Sequence, residues 1–303
     1  MVPRERVVVG SARRSVSAPL ALVTGGGGQL AADLVERFAA RDWQTVAPTR
    51  AELDVTDAAA VEQLVADHRP DVIVNTAAWT DVDGCERDPA RAWAVNGGAV
   101  ATIAEAASRR GSRLVQISTD YVFDGLSVES YAEDAPTGPI NVYGETKLAG
   151  ERAALTVPGA LAVRTSWLAG ARGHNFVRTM LRVSADGRDL AVVDDQIGCP
   201  TVTRDLAQTI VELVADTDAA GVVHATNASV MSWCGLARLV LAAAGRDPDV
   251  VRGITTDELD PPRDATRPAR SVLANTVLEE LGRPMPAVEA GLERLVREIL
   301  SQG

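Results

Sequence analysis

The chain has 303 residues, 46% of them hydrophobic and 23% charged, which is the make-up of a globular protein long enough for a large core. Its net charge of −11 speaks against nucleic-acid binding, which needs a basic surface. No apolar run approaches the roughly 20 residues of a membrane span. Three cysteines, Cys85, Cys199 and Cys234, lack any C-x-x-C spacing and read as reduced thiols of a cytoplasmic protein, not as zinc ligands or a redox pair.

In chain order, the N-terminal stretch carries Arg4, Arg6, Arg13 and Arg14 and superficially resembles an export signal. The apolar run that follows, Leu20 to Val23, is too short for one and leads straight into glycines. Residues 1–18 are therefore expected to form a loosely ordered extension. "LALVT" (20–24) reads as a strand and "QLAADLVERFAARD" as a helix; "WQTVAPT" (43–49) and "ELDVTD" (52–57) read as two further strands. A helix over "AAAVEQLVADH" places Val61, Leu64 and Val65 on one face. "DVIVNTAA" (71–78) and "RLVQIS" (113–118) are apolar on both faces, as buried parallel strands are, with a long helix over "ARAWAVNGGAVATIAEAASRR" between them. Beyond lie a helix ("VYGETKLAGERAAL"), a strand ("ALAVRTS"), a helix ("FVRTMLRVSA"), a strand ("LAVVD"), a helix ("TRDLAQTIVELVAD") and a strand ("VVHATN").

Such alternation predicts an α/β fold: a doubly wound, Rossmann-type parallel sheet with right-handed crossovers. After about residue 227 the pattern becomes mostly helical, which predicts a smaller C-terminal lobe. The expected division is a dinucleotide-binding part over 19–165 and 190–227, and a substrate part over 166–189 and 228–303. Ligands in such folds sit at the carboxyl ends of the strands.

Between the first strand and first helix, Gly25, Gly28 and Ala31 stand at G-x-x-G-x-x-A spacing. The first glycine permits the tight turn, the second lets backbone approach a pyrophosphate, and a small third residue lets helix pack on strand. No Gly-Lys-Ser/Thr follows, so this is not a nucleoside-triphosphate loop. The second strand ends in Thr49-Arg50 without a carboxylate for a ribose 2′-hydroxyl, which favours NADPH, with Arg50 at its phosphate, over NADH. Asp54 is expected at the end of the next strand, near the adenine.

The most specific chemistry lies in "ISTDYVFDG" (117–125) and "NVYGETKLAGE" (141–151). Tyr143 and Lys147 are four apart on a helix and share a face. Reducing a ketone requires a proton donor for its oxygen. A tyrosine has a pKa of about 10, which a neighbouring cation brings toward working pH. A lone Y-x-x-x-K is common; coupled to a glycine turn about 115 residues upstream and a Ser-Thr end on the fifth strand, it becomes specific.

Together with "VTGGGGQL", "LDVTD", "PDVIVNTAAWTDVDGCE", "AVNGGAV", "RTSWLAG", "NFVRTML", "DDQIGCPT" and "RPARSVL", these segments resemble the extended short-chain dehydrogenase/reductase superfamily and, within it, the dTDP-4-dehydrorhamnose reductase family. The resemblance runs from about residue 20 to 300 and is more specific for family than for sugar. It implies a catalytic trio of Thr119, Tyr143 and Lys147 reducing C4 of a dTDP-linked 4-keto-6-deoxy sugar. It implies pyrophosphate contacts from Gly28, Gln29 and Leu30, and adenine contacts from Asp54 and Val55. Ala77, Ala78 and Trp79 then fall beside the cofactor ribose, and Asp120, Trp167 and Asn175 on the substrate side. His174 is read as a solvated neighbour.

Three positions depart from the family pattern. Ala31 replaces a third glycine, and Trp79 stands where tyrosine or histidine is commoner. Arg204 replaces a glutamate that holds an intersubunit metal in some members; arginine cannot ligate a metal. No metal is expected, and any homodimer would lack that bridge. Alternatives that the sequence leaves open are a reductase for another dTDP-deoxysugar of natural-product biosynthesis, an epimerase or dehydratase, and a non-catalytic nucleotide-binding subunit. A dehydratase is disfavoured because Tyr121, not glutamate, follows Asp120.

Overall fold

The computed structural model describes residues 18–302 except 186 and 188. The expected extension over 1–18 therefore lies, but for its last residue, outside the described residues. Six parallel strands form the central sheet: β1 (Leu20–Thr24), β2 (Gln44–Val46), β3 (Val72–Asn75), β4 (Arg113–Thr119), β5 (Leu161–Thr165) and β6 (Gly221–His224), in the order β6-β5-β4-β3-β1-β2. The alternation of side chains along each strand divides the core in two. Ala21, Val23, Val72, Val74, Val115 and Val163 meet helices α1 (Gln29–Ala39) and, later in the chain, Thr203–Asp216 on one face. Leu22, Ile73 and Leu114 meet α2 (Ala58–His68) and α3 (Ala99–Arg110) on the other. Burial on both faces is why these strands read as continuous apolar runs.

"ELDVTD" is not a strand. Leu53 and Val55 are buried, which gives the sequence its strand-like alternation. Asp54, however, accepts from the amide and hydroxyl of Thr56 at 3.0 and 2.7 Å, and Asp57 caps α2 through the amides of Ala59 and Ala60. Such local side-chain bonds select a turn. The strand bearing Thr119 is consequently the fourth of the sheet, not the fifth. The expected long helix is helical but interrupted by a π turn at Trp93–Gly98, where Asn96 turns inward to the backbone of Trp79.

A second core joins α5 (Phe176–Val183), α7 (Trp233–Ala243) and α8 (Val288–Ser301), where α4 is Val142–Ala154 and α6 is Thr203–Asp216. The Leu190–Val193 strand pairs with Val251–Ile254 and contributes Val192 to this second core, so it departs from the expected grouping with the sheet. Conversely, Leu278 and Met285 pack against the sheet-side core although they lie far C-terminal. Among the described residues, no helix is long and apolar enough to cross a membrane.

Candidate active site

Gly25 opens the turn after β1 at φ +72°, a left-handed conformation that costs other residues energy. Gly26 is fixed by close approach: a Cβ there would lie 2.0 Å from the Ala47 carbonyl oxygen, and its amide donates to Pro48 O at 2.8 Å. Gly28 is the N-cap of α1, offering no side-chain cap, and the first turn carries no acidic residue. The amides of that turn are therefore left for an anion. Ala31, fully buried, packs α1 on the sheet. Gln29 reaches across the fold: its Oε1 accepts from Gly170 N at 2.9 Å and from Asn175 Nδ2 at 3.1 Å.

Helix α4 begins at an Asn141 cap, whose Oδ1 accepts from Gly144 N at 2.7 Å, while Glu86 accepts from Val142 N at 2.8 Å. Two glycines let it seat deeply. A Cβ on Gly144 would lie 2.2 Å from Tyr121 O, and one on Gly150 would lie 2.2 Å from Asn96 O. Tyr143 and Lys147 thus reach the end of β4. Lys147 is 3% exposed and donates from Nζ to Ile117 O at 2.6 Å. Burial brings its pKa down to about 8, with the Glu151 carboxylate opposing the fall. Glu151 is itself buried, paired with Arg164 at 2.6 Å and accepting from Ser118 Oγ at 2.6 Å.

Tyr143 meets Tyr121 edge-on, with ring centroids 5.6 Å apart. The expected lowering of its pKa by Lys147 is not what governs this site: burial raises it, and the Thr119 hydroxyl works against the rise. The phenol therefore stays protonated, as a proton donor must.

Thr119 ends β4 beside Thr165 on β5, its register partner. Asp120 was expected to face substrate. It borders the cleft, yet it is only 2% exposed and both its oxygens are engaged, Oδ1 by the Thr119 hydroxyl at 3.0 Å and Oδ2 by the Ser271 hydroxyl. Burial pushes its carboxyl up to about 6.

Opposite stands Trp167, held at φ +48° and stacked on Trp233 with centroids 3.6 Å apart and planes 11° off parallel. Gly198 leaves room for it: a Cβ there would come within 2.7 Å of the indole. Asn175 caps α5 through Arg178 N at 3.1 Å and also holds Gly170 O at 2.8 Å.

A cleft of about 490 Å³ opens between these groups at the carboxyl ends of the strands. Gly28, Gln29, Leu30, Ala78, Thr119, Asp120, Tyr143, Lys147, Trp167 and Asn175 all border it. Gly25, Arg50, Asp54, Val55, Ala77 and Trp79 do not. Gly25 shapes the turn, Val55 is core, Asp54 is spent on Thr56, and Arg50 is exposed beyond β2. Trp79 lies under the Arg91 guanidinium, 4.2 Å from its ring centroid, with its amide held by Asn96. Sequence reasoning missed Tyr121, Thr165 and Trp233, which also line the cleft, and His174 lines it from an exposed position. Of these, Tyr121 and Thr165 lay within quoted motifs, "ISTDYVFDG" and "RTSWLAG", whereas Trp233 and His174 lay outside them.

The residues fit a dinucleotide. The uncapped first turn of α1 and the glycines before it make a cradle that side chains would fill. Thr165 is buried at the cleft wall with a hydroxyl that has no protein partner. Among the described residues, no group of three or more histidine, cysteine, aspartate or glutamate side chains could hold a metal, and Arg204 pairs with Glu36 at 2.6 Å.

Residues 20–301 match the family model described as RmlD substrate binding domain. The chain belongs to this family. The dTDP-4-dehydrorhamnose reductase of Streptomyces griseus is 48% identical over 261 residues, covering 84% of this chain and 85% of that protein. The dTDP-4-keto-6-deoxy-D-glucose reductase of Streptomyces niveus is 44% identical over 263 residues, covering 86% of this chain and 90% of that protein. The crystal structure of Bacillus anthracis dTDP-4-dehydrorhamnose reductase, solved in complex with NADP, superposes with a TM-score of 0.88 at 35% identity, over 93% of this chain and 99% of that one. The doubly wound α/β fold read from the sequence is thus the fold of the RmlD family.

Proposed function

We propose that the chain reduces the C4 ketone of a dTDP-linked 4-keto-6-deoxy sugar with NADPH, and that its substrate is dTDP-4-dehydro-L-rhamnose, giving dTDP-L-rhamnose. The observation that carries this reading is the convergence of Thr119, Tyr143 and Lys147 on a cleft that begins at an uncapped glycine turn. The named activities of the relatives from Streptomyces and Bacillus support it.

NADPH, when bound, supplies the hydride. Gly28, by leaving the turn open, and the first amides of α1 would hold its diphosphate, and Arg50, with no acidic competitor in Thr49-Arg50, would be the residue for a 2′-phosphate. The sheet-bearing part of the chain carries the dinucleotide, and the part built on α5, α7 and α8 carries the sugar nucleotide. Tyr143, kept neutral by burial, gives its proton to the sugar O4 as negative charge develops there. Lys147, one helical turn along α4 from Tyr143, would supply positive charge to the side of the cleft where the tyrosinate forms, while Thr119 hydrogen-bonds the same O4. Trp167 and Trp233 form the apolar wall against the sugar nucleotide. A homodimer, if formed, is held without a metal bridge, since Arg204 occupies that position.

The test follows NADPH absorbance with the purified chain and dTDP-4-keto-6-deoxyglucose, with and without a 3,5-epimerase. Oxidation that requires the epimerase supports the rhamnose assignment. Oxidation without it moves the substrate to the unepimerised sugar, and none in either mixture refutes both of these substrates.

A further inference from the structure

Thr119 carries one hydroxyl proton, and Asp120 and the substrate ketone compete for it. A ketone oxygen only accepts, so Thr119 can hydrogen-bond the substrate O4 only by donating. In the structure that proton is already given to Asp120 Oδ1 at 3.0 Å, while the Thr119 oxygen accepts from Tyr121 N at 3.2 Å. The other Asp120 oxygen takes the proton of Ser271, 151 residues further along the chain. Thr119, Asp120 and Ser271 are 6%, 2% and 2% exposed, so water is poorly placed to redistribute these bonds.

An ionised Asp120 is an acceptor at both oxygens and holds both hydroxyl protons. A neutral Asp120 has a proton of its own to donate to the second lone pair of Thr119, which frees the threonine proton for the cleft. We propose that Asp120, clamped by Ser271, sets the direction of the Thr119 hydroxyl, so that Thr119 donates to the substrate ketone only when Asp120 is neutral. This rests on the reading of the cleft as a ketoreductase site.

The groups facing Asp120 leave the choice to the carboxyl. Tyr121 on its own turn, Tyr143 from α4 and Cys199 from the loop before Thr201–Val202 all have their pKa values raised by burial and stay neutral. Lys147 is spent on Ile117 O. From the C-terminal segment, Arg267 is committed to Asp83 at 2.6 Å, and Arg270 lies toward Cys199. Among the described residues no cation pairs with Asp120, and burial holds its carboxyl near 6, within reach of working pH. Asp120 is thus a positioning residue acting through Thr119, and Ser271 is a positioning residue acting through Asp120.

The test is the pH dependence of kcat for the full chain, using NADPH and dTDP-4-dehydro-L-rhamnose made in place with a 3,5-epimerase. Wild type should show a limb in which kcat falls as pH rises through the Asp120 titration, below the separate loss caused by Lys147. Ser271→Ala removes a donor to the carboxylate, which raises the carboxyl pKa and moves that limb to higher pH. Asp120→Asn can donate its amide proton to Thr119 at every pH; the lower limb should vanish and kcat at pH near 7.5 should rise about tenfold or more, because a carboxyl titrating near 6 is neutral in only a small fraction of molecules there. A purely structural role would lower kcat in both variants without moving the limb. NADPH binding by fluorescence shows that each variant is folded, and either variant alone decides. Limbs unmoved in a wild type that turns over would overturn this inference alone. No NADPH oxidation by wild type would overturn the ketoreductase reading and this inference with it.

Discussion

Trp167 and Trp233 lie face to face, 3.6 Å between ring centroids, and together wall one side of the cleft. They come from different parts of the fold: Trp167 follows β5 in a left-handed conformation, while Trp233 opens α7 and also packs on Phe176. An aromatic pair of this kind is worth about 0.5–1.5 kcal/mol beyond its area. Trp233→Ala withdraws that energy from the placement of Trp167 against the cleft, and is therefore expected to raise KM for the sugar nucleotide by at most about 12-fold and to change kcat less. Steady-state kinetics at saturating NADPH separates the two.

Replacing Tyr143 by phenylalanine removes the proton donor and little else. The loss expected is about 10²–10⁴ in kcat. Fluorescence titration should show NADPH still bound, because the glycine turn and α1 are untouched. Activity within a few-fold of wild type would leave another group as the acid.

Lys147 sets an alkaline limb. Burial holds its pKa down at about 8, so the cation is present below that pH and lost above it. The reaction needs the cation, hence kcat/KM falls as pH rises through about 8. A group with the ordinary lysine pKa of about 10.4 would keep full activity two units further. The pH profile of kcat/KM distinguishes them.

Gly144→Ala tests how closely α4 must approach the turn after β4. Its Cβ would stand 2.2 Å from the Tyr121 carbonyl oxygen, a backbone atom that cannot rotate away. Overpacking of this kind costs about 1–3 kcal/mol, and it displaces the residue next to Tyr143. A lower midpoint in urea unfolding and a reduced kcat are expected together. Gly98→Ala, whose Cβ would meet nothing closer than 3.7 Å, is the matched control and should be neutral or stabilising.

Arg164 and Glu151 form a buried pair directly behind the Lys147 side of the site. Removing one partner leaves the other charged and unpaired; Arg164→Gln should cost about 3–5 kcal/mol in unfolding free energy, measured in urea.

The central sheet was readable because β1, β3, β4 and β5 are buried on both faces and carry unbroken apolar runs. Residues 52–57 misled for a local reason: Leu53 and Val55 alternate like a strand while Asp54 and Asp57 spend their carboxylates on turn and cap. Tyr143 and Lys147 were readable because a fixed helical spacing puts both on one face. Trp233 and Ser271 were not, since each enters the site from a segment remote in sequence and no spacing links them to Trp167 or Asp120. The engagement of Asp120 by two hydroxyls was equally hidden: the residue type announces a carboxylate, and only the fold shows what holds its oxygens.

The most direct measurement of the central claim is the fate of the hydride. The chain is incubated with NADPH deuterated at the transferring position of C4 and with dTDP-4-dehydro-L-rhamnose, and the sugar product is examined by NMR. Deuterium at C4 of the sugar, absent when Tyr143→Phe replaces wild type, is the result expected. Unlabelled sugar, or deuterium at any other carbon, would contradict it.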